Sequence, residues 1–497
     1  MRAAYPTGAE YWRSVRRLFI VETVTVAAFV GVAAWVQLQE PEAMATIAVE
    51  ALATGPAEEA WSGIFLKDQH VGWSVTKESP VAGGGRLIEN RASFVLGAQG
   101  ATQEVTLGGT AITDAAGRLV EFDFVLETLV SLRAHGVVRP GVVHVEVEQG
   151  GTTQTLDIPV DEPPALSLTA TQFVRGKELN PGDRFEQPYF DIVTMRQTTM
   201  TVVVEAPELM PDGSVAHWLR MEAPGLTTRR LVSESGAVLR EEDTTLGVKQ
   251  VRMTREQALA VDAGAPPDLV AVSKVPLGGF VDRSRPFGPL SLRVTGLEAP
   301  LPDEGDVQRV AGDVVTLWTP DPTTWPVLPV RGSGDVEPTF SLPADHEEIV
   351  ARARKVVGDA PDRATAARRI HDFVHGYLTK APTIGIPNGL EVLRSGQGDC
   401  NEHTALYVSL ARAEGIPSRI AAGLVYNEAL GSSFYYHAWP EVRLGADEAW
   451  VPIDPTFGQF PAHATHLKIV TGDLDKQMRI LGLIGRLRID VATEPPR

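Results

Sequence analysis

Cys400 is the only cysteine among 497 residues, and its neighbours place it where a helix begins. Gly396 and Gly398 mark a loop, and Asp399 is a candidate N-cap. Cys400–Glu414 is then rich in Ala and Leu and free of Gly and Pro until Gly415-Ile416-Pro417 stops it. A thiol in the first turn of a helix faces unpaired backbone N–H groups and the positive end of the helix dipole. Both favour the thiolate, which is the nucleophile. The expectation is a cysteine placed for chemistry, with its own backbone N–H as one donor to an oxyanion.

Two later segments supply what such a nucleophile needs. Phe434–Val442 reads as a strand carrying His437, and Trp450–Thr456 as a short strand ending in Asp454. A cysteine, a base and a carboxylate that holds the base's tautomer make a nucleophile–base–orienter set. Each member has a plainer reading: a small buried hydrophobe for Cys400, an ordinary strand histidine for His437, a turn cap for Asp454. Their order along the chain favours the catalytic reading. Gln397 is a candidate second oxyanion donor by proximity, with loop flexibility as the plainer account. A metal held by Cys400, His403 and His437 lacks a CxxC or HExxH pattern, so no metal is expected. His463 and His466 read as surface or strand-entry residues, and Trp439 and Trp450 as packing. No EF-hand-like loop or P-loop occurs, so no cofactor is expected.

The segments Gly398-Asp-Cys-Asn-Glu-His-Thr-Ala405, Ala411–Arg419, His437-Ala-Trp439 and Trp450…Asp454-Pro-Thr456 resemble the core of the transglutaminase-like superfamily, over roughly residues 343–470. The resemblance implies a papain-like cysteine fold, with a central helix bearing Cys400 packed on an antiparallel sheet bearing His437 and Asp454. It also implies amide chemistry on a protein or peptide substrate. Tissue-type members have Gln before the cysteine and Trp after it. Here Asp399 and Asn401 stand in those places, which leaves hydrolysis at least as open as crosslinking.

The elements that position these residues begin with a membrane question. Leu18–Leu38 holds about 20 mostly apolar residues, enough to cross hydrocarbon as one helix. Arg13, Arg16 and Arg17 precede it, and no Lys or Arg follows until Lys67. That asymmetry puts residues 1–17 in the cytoplasm and the rest outside, as a single-pass anchored, periplasmic chain. A cleaved signal peptide ending near Ala43-Met-Ala45 and a twin-arginine signal at Arg16-Arg17 are the alternatives.

Residues 55–260 alternate apolar and polar positions between turns. Val143, Val145 and Val147 face one side, and Leu156, Ile158 and Val160 follow Gly150-Gly151, a hairpin pattern. The expectation is an antiparallel sandwich or barrel-like sheet that positions substrate, binds a partner or acts as a spacer. Residues 265–342 read as a small β and proline-rich linker module, and 343–497 as the catalytic domain. That domain should open with a helix capped at Asp345, followed by one after Asp362 with Ala366, Ile370, Phe373, Val374 and Tyr377 on one stripe. A final strand is expected between Gly482 and Val491.

The whole reads as an α+β chain: a transmembrane helix, a β-rich region and a transglutaminase-like core. The net charge of −18 argues against nucleic acid. A lone cysteine decides nothing about the redox compartment. The competing reading is a non-catalytic envelope scaffold that keeps the fold as a binding module. The sequence does not reveal the oligomeric state.

Overall fold

Alternation of the kind seen at Val143, Val145 and Val147 lets a strand bury one face, and the strand Val142–Gln149 keeps it over its length while strands such as Val238–Asp243 do not. In the computed structural model, which describes Ile47 and most of residues 52–492, strands of both kinds form one 14-stranded sheet. Its strands are β1 (Glu58–Leu66), β2 (Gln69–Pro80), β3 (Arg86–Ala98), β4 (Ala101–Thr113), β5 (Leu119–Glu127), β6 (Ser131–Arg139), β7 (Val142–Gln149) and β8 (Thr152–Pro159), then β9 (Arg184–Asp191), β10 (Arg196–Leu209), β11 (Val215–Ala223), β12 (Leu226–Ser233), β13 (Val238–Asp243) and β14 (Val248–Met253). The order is β8 to β1 and then β14 to β9, every neighbour antiparallel. The chain therefore winds outward through β8, returns at the far edge and winds back to pair β14 with β1.

This sheet coils upon itself. Phe190 of β9 packs with Phe122 of β5, ring centroids 5.7 Å apart, in a cluster that also holds Val143 and Val145 of β7. The two edges thus approach around an inserted segment, residues 160–175, whose Leu166 joins that cluster. Its Ala170 and Val174 join a second one with Met200 and Val202 of β10. Arg230 of β12 donates to the Ser167 carbonyl (2.7 Å), tying the insert to the opposite wall. The outcome is a coiled open barrel around an insert, the barrel-like alternative to a two-sheet sandwich.

The C-terminal part packs helices on a second sheet. Helices α1 (Glu347–Val357), α2 (Arg363–Tyr377), α3 (Gly389–Ser395) and α4 (Cys400–Ala413) share one core with Val442 and Val451 of the sheet and with Leu444 and Ile453 just past its strands. The cap of α1 is His346 rather than Asp345: its ring nitrogen accepts from the Glu348 N–H at 3.3 Å. Asp362 caps α2 as expected, accepting from Thr365 N–H at 2.8 Å. The sheet runs β17 (Gln308–Ala311), β18 (Val314–Leu317), β16 (Leu290–Thr295), β25 (Arg488–Val491), β15 (Val275–Gly278), β22 (Ser433–Arg443), β21 (Ser418–Asn427) and β24 (His466–Thr471), with β23 (Trp450–Pro452) beside β22. Two differences follow. Strands from residues 265–342 extend this second sheet instead of standing as an intermediate module, and the β15–β25 pair is parallel.

Among the described residues the hydrophobic clusters lie within Val49–Arg497, a compact unit with its own cores. The expected membrane span at 18–38 lies outside the described residues. Among the described ones no helix is long and apolar enough to cross a membrane.

Candidate active site

The start of α4 is built by reciprocal capping. Asp399 accepts from the Asn401 N–H (3.1 Å), and Glu402 reaches back to the Asp399 N–H (3.0 Å). Gly398 is required by the close approach: a Cβ there would lie 2.2 Å from the Glu402 Cβ. Gly415, at φ 70°, ends the helix, with Ile416 N–H returning to the Ala411 carbonyl at 2.9 Å. Residues 402–411 are buried, so the helix is central and Cys400 sits half-buried at its open end.

His437 lies in β22 opposite Gly423 of β21, and its Nε2 is 2.8 Å from Oδ2 of Asp454. A carboxylate only accepts, so this bond places the proton on Nε2 and leaves Nδ1 as the basic nitrogen. Asp454, fully buried, follows β23 in a tight loop closed by mutual backbone bonds with Gln459, both 2.8 Å. Its Oδ1 accepts from Phe457 N–H at 3.0 Å. The Phe457 ring stacks on His437 at 4.8 Å. Cys400, His437, Thr456 and Phe457 all line one cavity.

Three histidines that sequence reasoning left out hold this loop. His466, expected at the surface or a strand entry, does open β24 but is buried, with Nε2 2.9 Å from the same Asp454 Oδ2. His371 and His375 of α2 meet the carbonyls of Asp454 and Pro455 at 3.3 and 2.7 Å. Their i, i+4 spacing on α2 was the one legible signal, since it puts both rings on one helix face.

Electrostatics corrects the expectation for the thiol. Burial, then the nearby Asp399 carboxyl and the more distant Glu402 and Asp454, push the Cys400 thiol well above its ordinary value, outweighing the Ala438 backbone N–H that favours the thiolate. Burial and the charge of Glu402 raise Asp399 as well. Burial would raise Asp454 too, but the charges and hydrogen bonds of His437 and His466 hold it well below the usual carboxylate range.

Gln397 lies exposed in β20 (Gln397–Gly398), paired with β19 (Thr379–Lys380), and does not line the cavity; the structure does not bring it to the other site residues. His403 is fully buried and its Nδ1 donates to the Asp399 carbonyl at 2.6 Å, a helix-start bond. Among the described residues the one constellation with metal-ligand spacing is instead His437, Asp454 and His466. Both imidazole Nε2 atoms already face one carboxylate oxygen, so the nitrogens a metal would need are used for hydrogen bonds. These residues fit an oriented carboxylate better than a metal centre. Trp439 is buried and Trp450 lies under the Arg419 and Arg443 guanidinium groups; neither lines the cavity.

A cysteine at a helix start that lines one cavity with a strand histidine held by a buried aspartate is the arrangement of the transglutaminase-like superfamily. Residues 350–455 match the sequence model of that superfamily, and the chain carries a domain of this family there. Among solved structures, a β-barrel-like protein of DUF1849 from Brucella abortus shares 15% identity at a TM-score of 0.33, over 40% of this chain and 96% of its own. A candidate cysteine protease from Cytophaga hutchinsonii shares 17% identity at a TM-score of 0.27, over 41% of this chain and 81% of its own. Likenesses of this extent carry no functional argument. No curated protein matches the chain.

Proposed function

We propose that the chain is a cysteine enzyme acting on amide bonds through a thioester. The observation that carries this reading is the 2.8 Å bond from His437 Nε2 to Asp454, which leaves Nδ1 basic in the cavity that Cys400 also lines. His437 Nδ1 takes the thiol proton as sulfur attacks the carbonyl carbon. The carbonyl π pair moves onto oxygen, which the Cys400 backbone N–H at the helix start stabilises. On collapse the C–N bond breaks, His437 returns the proton to the departing nitrogen, and the acyl group remains on sulfur as a thioester. Water, deprotonated by His437, completes hydrolysis; an amine in its place completes transfer. Asp399 and Asn401 beside the nucleophile favour the hydrolytic branch.

The apolar run at 18–38, with arginines before it, supports a single-pass anchor that holds the rest of the chain outside the cytoplasm. The substrate in this reading is an amide on the outer face of that membrane.

The test is labelling with a peptidyl chloromethyl ketone followed by intact mass. Residues 49–497 should add one equivalent at Cys400, and His437→Ala should slow the addition by roughly two or more orders of magnitude, since triad members act as a unit. A rate equal to that of a free thiol and unchanged in His437→Ala would overturn the proposal.

A further inference from the structure

A barrel of eight strands is just filled by its own side chains, and wider ones enclose space. Here fourteen strands coil around one inserted segment, and a cavity of about 1550 Å³ remains. This cavity is continuous with the candidate active site, because Cys400 and His437 line it together with the barrel interior.

The wall is graded. The barrel turns at Gln69, Gly97 and Gln149 bond to residues 265, 267 and 386, so this end of β1–β4 adjoins the catalytic part. Running inward from it, Leu96, Phe94 and Ala92 of β3 line the cavity in turn, beside Val105 and Leu107 of β4 in register. Asn90 and, on β2, Thr76 and Glu78 come next, with Glu78 held by Arg175 of the insert. From Leu96 to Asn90 the strand rises about 20 Å at roughly 3.3 Å per residue. Phe94, Leu96 and Leu107 are only half-buried, so apolar side chains stand open to the cavity. At the catalytic end Thr383 and Thr456 line it with buried hydroxyls that have no hydrogen-bond partner.

From this gradient we infer that the barrel holds the alkyl chain of a fatty-acyl amide whose amide group lies against Cys400, Thr383 and Thr456; the inference rests on the amide chemistry proposed above. An alkyl chain suits the β1–β4 side of the wall better than a peptide does. Backbone N–H and C=O groups of β1–β4 already pair within the sheet, so a peptide in the sleeve would bury donors and acceptors opposite apolar side chains. An alkyl chain needs no such partners and removes the half-buried apolar wall from water.

The test is calorimetric binding of butanoyl-, octanoyl- and dodecanoyl-glycinamide to residues 49–497 carrying Cys400→Ala. Affinity should rise about fourfold for each methylene added, the transfer value for buried CH₂. Leu107→Glu should weaken the dodecanoyl compound at least tenfold and butanoyl little, with Leu107→Thr as the milder variant should the first not fold. Equal affinities across chain lengths, unchanged binding in both Leu107 variants, or tighter binding of an acetylated peptide amide than of dodecanoyl-glycinamide would overturn the inference. Binding in Cys400→Ala is independent of turnover. Chain-length dependence without thiol reactivity would therefore sink the catalytic reading, and flat binding with a reactive thiol would sink this one.

Discussion

Asp454 is the most connected residue of the site. Its Oδ2 accepts from two imidazoles and its Oδ1 from a backbone N–H, and every partner donates to the charged form. A carboxylate so supplied stays ionised despite burial and stabilises an imidazolium when His437 takes a proton. His466 Nδ1 also lies 3.1 Å from the His463 carbonyl, so both its nitrogens face acceptors and the ring cannot turn without losing a bond. His466 is a positioning residue, acting through Asp454. His466→Ala should lower kcat by roughly tenfold to a hundredfold with KM little changed, while His437→Ala should cost roughly two orders of magnitude more. Steady-state kinetics on one verified substrate checks both, and equal losses in the two variants would place His466 in the chemistry itself.

At the scale of elements, α4 is set by contacts a few residues apart, and its glycines divide by environment. Gly396, at φ 66°, has open space where a Cβ would go, so Gly396→Ala should cost about 1 kcal/mol of left-handed strain and leave reactivity intact. Gly398→Ala must displace the backbone-proximal part of Glu402, which holds the Asp399 N–H. It should cost at least as much stability and also slow Cys400 labelling, because the helix start moves. Denaturant midpoints and labelling rates on the pair separate the effects; equal labelling in both would show that the capping contact does not place the thiol.

Across the whole molecule, the β7–β8 turn meets the transglutaminase-like part through Gln149, whose amide donates to the Ile386 carbonyl at 2.9 Å. Beside it Glu391 of α3 is raised to about 7, by burial first and by the charge of Glu402 second, with Gln149 and Arg394 opposing. A carboxyl raised on folding contributes stability fully below its unfolded value near 4.5 and loses it as pH rises through the folded value. Stability should therefore fall between about pH 4.5 and 7, by on the order of 1 kcal/mol once solvent screening of this partly exposed group is allowed for. Glu391→Gln should remove that part of the pH dependence in urea titrations. An unchanged difference between pH 5 and pH 7.5 would assign it elsewhere.

What the sequence determined by itself is local. The helix at Cys400 announces itself through Asp399, its Ala- and Leu-rich body and Gly415, because capping and termination act within a few residues. The β-rich character of 55–260 is equally legible, since alternation is written in consecutive side chains. The pairing of His437 with Asp454 was legible through the order of motifs. Only the tertiary structure decided the rest. His466 reaches Asp454 because β22 and β24 flank β21 on its two sides, with no side chain at Gly423 to hold β24 away: a Cβ there would lie 2.0 Å from the Leu467 carbonyl oxygen. The thiol is raised where helix-start reasoning expected it lowered, since burial depends on everything packed around it. The coil of the barrel, and with it the cavity, depends on distant meetings such as Phe122 with Phe190. Alternation reads the same in a flat sheet, a sandwich and a coil, so the space that joins the barrel to Cys400 exists only in the folded chain.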